Sequence, residues 1–139
     1  MISSSSRIGI LGLSRSGGAV YEFLKNKSND ILCFDDNPDN LVRFAETHTD
    51  AFICDLSDNK WPKCNFFVVS PGIALYYPVM HKIVEMSVQF NIKIISDFDV
   101  FFSFYSQKKY IGITGTNGKS TCTKMLEHIF QFCGYNYVA

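Results

Sequence analysis

Residues 114–121 combine the residue types that hold a polyphosphate. They read Thr-Gly-Thr-Asn-Gly-Lys-Ser-Thr and follow an apolar segment, 110–113, that is predicted as a strand. Gly115 and Gly118 allow sharp backbone turns, so that successive N–H groups can point at one anion. Lys119 would add a mobile cation for the β- and γ-phosphates, and Ser120 a hydroxyl ligand for Mg²⁺. The stretch therefore predicts a triphosphate-binding loop.

A helix is predicted directly after this loop, where its positive N-terminal end would face the same anion. Apolar residues from Cys122 to Cys133 recur at helical spacing, and Gly134 predicts the stop. The loop departs from the pattern GxxxxGK[ST], because Ile113 stands where the first glycine is required. This departure indicates a particular subfamily of phosphate-binding loops.

A second glycine turn lies near the amino terminus. An apolar strand at residues 7–11 runs into Gly-Leu-Ser-Arg-Ser-Gly at 12–17, and a helical pattern follows. The order is similar to the fingerprint GxGxxG, but Ser14 occupies the second glycine position, so simple packing of a helix on a strand is an equal alternative for the turn alone. Asp35 and Asp36 end the next strand, where an acidic side chain commonly meets a nucleotide's sugar or base.

Further apolar segments predict strands at 50–54, 66–69 and 92–95, with helices between them. Ser70-Pro71-Gly72 follows the strand at 66–69. Open α/β sheets bind ligands at such carboxyl ends of strands. The predicted fold is therefore α/β, with a Rossmann-like parallel-sheet domain over residues 1–97. A linker helix and the start of a second domain follow over residues 98–139.

Several local features of the first domain are also predicted. Asn37 and Pro38 look like the start of a short helix, and Trp61 is interpreted as a packing anchor. Helices are expected to open at Pro78 and to be capped by Asp97. The second of these carries an aromatic stripe that is typical of a core face, formed by Phe98, Phe101, Phe102 and Tyr105.

Composition narrows the classes of function. The 139 residues include thirteen basic and thirteen acidic side chains, so no net charge favours nucleic acid or an acidic membrane. The five cysteines form no CxxC pair, and residues 1–7 lack the apolar region of a signal peptide. We therefore expect a reduced, cytoplasmic protein without a membrane span. The three histidines have no ligand-spaced partner, so no metal is expected beyond Mg²⁺.

The loop at 115–121 after a strand resembles the P-loop of the Mur ligases and their folylpolyglutamate synthetase relatives, which are ATP-dependent enzymes. The order of the turn at 12–17, Asp35-Asp36, the segments 70–75 and 95–97 and the P-loop is similar to the D-glutamate-adding branch of the Mur ligases over nearly all of the chain. The resemblance implies an acyl phosphate on the L-alanyl carboxylate of UDP-N-acetylmuramoyl-L-alanine, attack by D-glutamate, and a role in peptidoglycan synthesis. The second domain would then be the start of a central ATPase domain.

The resemblance also implies two sets of binding residues, one for UDP and one for Mg-ATP. The UDP phosphates would lie against Leu13, Ser14, Arg15, Ser16 and Gly17. The uracil and ribose would lie against Asp35, Asp36, Ser70, Pro71 and Gly72. Mg-ATP would be held by Gly115, Thr116, Asn117, Gly118, Lys119, Ser120 and Thr121. Among these, Lys119 would be catalytic and Ser120 would bind the Mg²⁺.

Members of this family are much longer, so we expect the chain to represent a front portion that does not catalyse ligation alone. Its last helix is expected to be mobile or to cover its apolar face, with self-association as one route. The alternatives are another Mur ligase, a non-catalytic UDP- or nucleotide-binding module, a Rossmann oxidoreductase and a small P-loop kinase. The oxidoreductase leaves residues 115–121 unexplained, and the kinase requires an acidic residue on a later strand.

Overall fold

The computed structural model describes residues 2, 5–27 and 30–139. The chain forms two compact units, Met1–Ser106 and Gln107–Ala139. The first unit carries a β-sheet with flanking helices, and the second carries the glycine-rich loop at 114–121 and one long helix. The helix at Asp97–Phe104 falls in the first unit, whereas the domain boundary predicted from the sequence lies before residue 98.

In the described part of the chain, the first unit has one sheet of five parallel strands, which confirms the predicted α/β, Rossmann-like fold. The spatial order is β3-β2-β1-β4-β5. The strands are β1 (Arg7–Leu11), β2 (Asp30–Phe34), β3 (Phe52–Ile53), β4 (Phe66–Val69) and β5 (Lys93–Ile95). The order reverses between β1 and β4, and ligands of open α/β sheets bind at the carboxyl ends of strands at such a point.

The helices alternate with the strands, as the sequence predicted. They are α1 (Arg15–Leu24), α2 (Pro38–Thr47), α3 (Lys82–Gln89), α4 (Asp97–Phe104) and α5 (Lys119–Phe132), with a short 3₁₀ turn at Trp61–Lys63. The predicted start of α2 is confirmed, because the Asn37 side chain accepts a hydrogen bond from the Asp39 N–H at 2.9 Å and Pro38 is the first helical residue.

Apolar side chains fill both faces of the sheet, because neighbouring residues of a strand point to opposite sides. Ile8 and Ile10 belong to one core and Leu11 to the other. Trp61 is fully buried in the core that contains Leu11. Its ring passes so closely over Gly9 that a Cβ there would stand 2.4 Å from Cζ3. The interpretation of Trp61 as a packing anchor is therefore confirmed.

The predicted start of α3 is wrong. The helix begins at Lys82, and His81 is its N-cap. The His81 N–H donates to the Leu75 carbonyl at 2.8 Å, which closes the intervening residues into a loop before the helix can start. Pro78 lies in that loop, and Val79 and Met80, which a helix opening at Pro78 would contain, are exposed.

The predicted cap of α4 is also wrong. Ser96 is the N-cap and forms a capping box with Asp99, while Asp97 is the first helical residue. The Ser96 N–H donates to the Asp99 carboxylate at 2.8 Å, and the Asp99 N–H donates to the Ser96 hydroxyl at 3.2 Å. The Ser96 N–H and the Ser96 hydroxyl, the latter also at 2.8 Å, both donate to the Asp99 carboxylate and lower the pKa of Asp99. Sequence alone favoured Asp97 because adjacent serine and aspartate are both good caps.

The aromatic stripe of α4 does not form the core face. Phe98 is 66% exposed, whereas Val100 is buried, and Phe104 packs edge-on against Phe23 with ring centroids 5.2 Å apart. The other members of the predicted stripe are Phe101, Phe102 and Tyr105, and all are exposed. Because α4 is apolar around most of its circumference, helical spacing did not distinguish its inner face.

In the second unit, α5 follows Gly118, which takes a left-handed φ of +79°. The helix ends as predicted at Gly134, with φ +71°. The Gly134 N–H donates to the Gln131 carbonyl at 3.1 Å, and the Tyr135 N–H donates to the Phe130 carbonyl at 2.9 Å. This is a Schellman motif, in which the last carbonyls of the helix are satisfied.

The strand predicted at 110–113 is wrong, and the residues from Tyr135 onward form no strand either. These residues join no ladder, because none of the described residues of the second unit offers a neighbouring strand for pairing. Within the described structure α5 also has no buried residue, and Met125 and Ile129 are 60% and 51% exposed. The amphipathic pattern of α5 is thus present while its apolar face lies open.

Candidate functional site

Three loops of the first unit meet at the carboxyl edge of the sheet, after β1, β2 and β4. Gly12 takes φ +88°, and its N–H donates to the Phe34 carbonyl at 2.9 Å. The Ser70 hydroxyl donates to the Gly12 carbonyl at 2.8 Å, and the Ser70 N–H donates to the Leu11 carbonyl at 2.9 Å. Because Ser70 is buried, these bonds hold the β4 loop against the β1 loop. The predicted segments 12–17 and 70–72 are therefore neighbours.

Gly17 lets α1 approach the end of β1. A Cβ at this position would lie 1.7 Å from the Gly12 carbonyl oxygen, which no side chain tolerates. Gly17 thus performs the role of the last glycine of the fingerprint, close packing of helix on strand. This requirement shows that the glycine turn carries a specific geometry even though Ser14 replaces the middle glycine.

The amino end of α1 is open toward the same edge. Ser14 is the N-cap residue, but its side chain makes no capping hydrogen bond. The first N–H groups of a helix have no partner within it, and the helix dipole places partial positive charge there. Ser14 and Arg15 are exposed and Ser16 is half-buried. The arrangement offers backbone donors to an anion, and Arg15, the first residue of the helix, is an exposed cation next to them in sequence.

Asp35 organises the loops from inside. It is 4% exposed, and its carboxylate accepts from the Leu13 N–H at 2.6 Å, the Asn37 N–H at 2.8 Å and the Asn40 side-chain amide at 3.1 Å. These bonds tie the glycine turn to the start of α2. Its carboxylate is engaged by the protein itself, and its predicted contact with a ligand stays a prediction.

Asp36 lies beside it in a different environment. Its side chain is 51% exposed, and its two oxygens lie 3.0 Å and 3.1 Å from Nε2 of His81. Sequence reasoning gave His81 no role, because it lies forty-five positions away and no spacing rule joins the two. Its place just before an apolar helical run, where an N-cap belongs, was the available signal. Pro71 and Gly72, the remaining predicted residues of this edge, are exposed.

The P-loop residues form a separate site in the second unit. Gly115 takes φ +147° and Gly118 φ +79°, so both use backbone conformations that favour glycine. The Lys119 ammonium donates to the Gly115 carbonyl and, at 3.4 Å, to the Thr116 carbonyl. Lys119 therefore folds over its own loop. The remaining predicted ATP-binding residues are exposed around it: Asn117, Ser120 and Thr121.

A cavity of about 370 Å³ lies elsewhere in the first unit, by the amino ends of β1 and β2. Its lining includes Arg7, Tyr21, Asp30 and Asp50. Burial, followed by the effect of Asp50, raises the pKa of Tyr21 to about 12. Arg7 and Asp30 already form an ion pair at 2.6 Å. The cavity lining includes no residue at the amino end of an α-helix, so we treat the carboxyl edge as the candidate ligand site.

Comparison with known proteins identifies relatives over almost the whole chain. A UDP-N-acetylmuramoylalanine–D-glutamate ligase of Rickettsia prowazekii is 44% identical over 131 residues, covering 94% of this chain and 28% of the relative. The ligase of Rickettsia conorii is 41% identical over 96% of this chain, and that of Mesorhizobium japonicum is 33% identical over 94%. The chain is similar to part of these ligases. The resemblance found from the motifs is thereby confirmed.

The chain spans about a quarter of the length of these UDP-N-acetylmuramoylalanine–D-glutamate ligases, which is consistent with an N-terminal portion. No protein-family model matches it. Among solved structures, the shikimate dehydrogenase of Aquifex aeolicus has a TM-score of 0.48 at 10% identity and covers 74% of this chain and 49% of its own. That of Mycobacterium tuberculosis has a TM-score of 0.43 at 14% identity, with coverages of 88% and 58%. Both likenesses are too distant to inform function.

Within the described residues, no helix combines the length and the apolar character that crossing a bilayer requires. The cysteines that the structure describes are free, and Cys33 and Cys64 are buried.

Proposed function

We propose that the first unit binds the UDP part of UDP-N-acetylmuramoyl-L-alanine at the carboxyl edge of its sheet. The observation that carries this proposal is the convergence of the β1, β2 and β4 loops at the point where the strand order reverses, beside the open amino end of α1. The identity to ligases named for this substrate supports the choice of UDP over a dinucleotide.

Each predicted residue then has a distinct task. The N–H groups at the start of α1 and the Arg15 guanidinium bind the phosphates, since the helix end carries partial positive charge and Arg15 is an exposed cation in its first turn. Asp36 accepts hydrogen bonds from the uracil or ribose. Ser70 and Asp35 hold the loops in place through their bonds to Gly12 and Leu13.

The second unit is proposed to bind Mg-ATP through its P-loop. The donors present fit this ligand, because the loop presents backbone N–H groups, one ammonium and hydroxyls together. The phosphates would displace the carbonyls of Gly115 and Thr116 that the Lys119 ammonium contacts. Lys119 would then stabilise charge on the transferring phosphoryl group, and Ser120 would bind Mg²⁺.

The parent reaction proposed is the ATP-dependent joining of D-glutamate to UDP-N-acetylmuramoyl-L-alanine through an acyl phosphate, in cytoplasmic peptidoglycan synthesis. We propose that these 139 residues supply substrate binding without ligation, because α5 has no buried residue within the described structure and the relatives are several times longer. The open apolar face of α5 also makes self-association an expected property, which sedimentation measures directly.

The test of the UDP site compares two exposed arginines on helices. Arg15→Ala removes the cation at the glycine turn, and Arg43→Ala removes a similar exposed cation from α2. We expect UDP to bind the parent and Arg43→Ala equally in calorimetry. Arg15→Ala should bind roughly tenfold more weakly, which is the effect of about 1.4 kcal/mol.

NAD is the control ligand for this experiment. Binding of NAD as tight as that of UDP would favour the oxidoreductase alternative. Equal UDP affinities of the two arginine variants would remove Arg15 from the phosphate site.

The ATP site is tested separately with Lys119→Ala against Lys109→Ala, another exposed lysine of the second unit. Only Lys119→Ala should lower ATP affinity. Phosphate release in the presence of UDP-N-acetylmuramoyl-L-alanine and D-glutamate should stay at background. ATP-dependent ligation by the parent chain would contradict the proposal that further residues are needed.

A further inference from the structure

Both ring nitrogens of His81 form hydrogen bonds. Nδ1 accepts a hydrogen bond from the Ile83 N–H at 3.1 Å, as the N-cap of α3. An imidazole nitrogen that accepts carries no proton, so the proton of the neutral ring resides on Nε2. Nε2–H therefore donates to the Asp36 carboxylate, whose oxygens lie 3.0 Å and 3.1 Å away. The backbone N–H of Ile83 thus fixes the ring in the tautomer that Asp36 requires.

This contact joins two parts of the ligand-binding edge. Asp36 follows β2, and His81 ends the loop that starts after β4 at Ser70. The His81 side chain is only 14% exposed, so the histidine side of this contact is shielded from water, whereas the Asp36 side chain is 51% exposed. The backbone of His81 is fixed as well, because its N–H donates to the Leu75 carbonyl at 2.8 Å. A rigid donor therefore orients a carboxylate that faces solvent.

The Asp36 carboxylate has hydrogen-bond acceptor positions left for a ligand. A carboxylate has about four acceptor positions, and the hydrogen bonds found for Asp36 among the described residues come from His81. Asp35 differs, because three protein donors already use its carboxylate. Of the two adjacent acids, Asp36 is the one placed to accept hydrogen bonds from a nucleoside.

We propose that His81 is a positioning residue, which orients Asp36 toward the hydroxyl or N–H donors of the bound nucleoside through the contact between its Nε2–H and the carboxylate. The inference rests on the proposed UDP site and assigns the nucleoside half of that site to a histidine–aspartate pair. Without His81 the exposed Asp36 side chain samples several rotamers, and binding has to restrict them.

The test uses a variant that separates the two contacts of His81. Asparagine is among the best N-cap residues, so His81→Asn keeps an acceptor for the Ile83 N–H while its short side chain no longer reaches Asp36. His81→Ala removes both contacts. Asp36→Ala and the double variant Asp36→Ala/His81→Asn complete a double-mutant cycle.

Affinities for UDP and for pyrophosphate are measured by calorimetry on the full chain, with Lys119→Ala present in the parent and in every variant so that the P-loop does not dominate pyrophosphate binding. We expect His81→Asn to weaken UDP binding about fivefold to tenfold, which is the effect of having to immobilise one side chain on binding. Pyrophosphate, which lacks a nucleoside, should bind the variant like the parent. In the Asp36→Ala background, His81→Asn should have no further effect on UDP affinity, because His81 acts through Asp36.

Equal loss of UDP and pyrophosphate affinity would show a general structural defect and overturn the inference. Additive losses in the cycle would also overturn it, since the two side chains would then act independently. If His81→Asn and the parent bind UDP equally while His81→Ala is weaker, the role of His81 is the cap alone, and the inference is wrong. Failure of the parent to bind UDP would instead refute the proposed function, and the inference with it.

Discussion

Replacing Asp35 tests whether this residue organises the glycine turn from inside. In Asp35→Ala the Leu13 N–H loses its 2.6 Å acceptor in a buried environment, and an unsatisfied buried donor costs about 1–3 kcal/mol. The Asn37 N–H and the Asn40 amide lose part-buried bonds, which water replaces at a cost of a few tenths each. We expect a total loss of about 3 kcal/mol from a stability of roughly 5–15 kcal/mol.

Urea unfolding followed by tryptophan fluorescence measures this loss. The chain has a single tryptophan, Trp61, which is buried in the first unit, so the signal reports on that unit. With an m-value of about 1.5 kcal/mol/M, the midpoint should fall by about 2 M. Asp39→Ala is the matched control, because Asp39 is exposed in the first turn of α2 and contributes about 0.5 kcal/mol through the helix dipole. Equal midpoints for the two variants would refute the structural role of Asp35.

Two further predictions concern packing and thiol reactivity. Gly17→Ala should prevent native folding, because its Cβ would lie 1.7 Å from the Gly12 carbonyl oxygen. Gly18→Ala, whose Cβ would have its nearest contact at 3.9 Å, should be neutral or stabilising by up to about 1 kcal/mol. Thermal unfolding curves that are alike for the two variants would contradict this. Burial raises the pKa of Cys33 to about 12. Iodoacetamide at pH 8 should therefore alkylate exposed Cys122 and spare Cys33 until urea is added. Alkylation of Cys33 in the folded protein, detected by mass spectrometry, would contradict its burial.

The sheet was predictable because its strands are continuous apolar runs bounded by glycine, proline and acidic residues. β1 and β4 have the bounds that their sequences indicate, and the stop of α5 at Gly134 follows from one residue. The start of α3 was not predictable in the same way. Proline favours a first helical turn. The hydrogen bond from the His81 N–H to the Leu75 carbonyl nevertheless decides where this helix begins.

The sequence predicted the location of the candidate site at the carboxyl edge of the sheet better than it predicted the role of each residue there. Motif spacing placed residues 12–17, 35–36 and 70–72 at the carboxyl ends of strands, where the structure brings them together. Spacing treats Asp35 and Asp36 alike. Burial separates them, since Asp35 faces the Leu13 N–H inside the unit and Asp36 faces His81 at the surface. Such a difference depends on tertiary contacts between residues distant in sequence.

The most direct test of the central claim is a titration of the isotope-labelled chain with UDP, followed by amide NMR shifts. Binding at the carboxyl edge predicts saturable shifts confined mainly to residues 13–17, 36 and 70–73, while the P-loop at 114–121 remains unchanged. Saturable shifts centred instead on Arg7, Asp30 and Lys60 would place the ligand in the cavity at the opposite edge of the sheet and contradict the account. An absence of saturable shifts would also contradict it.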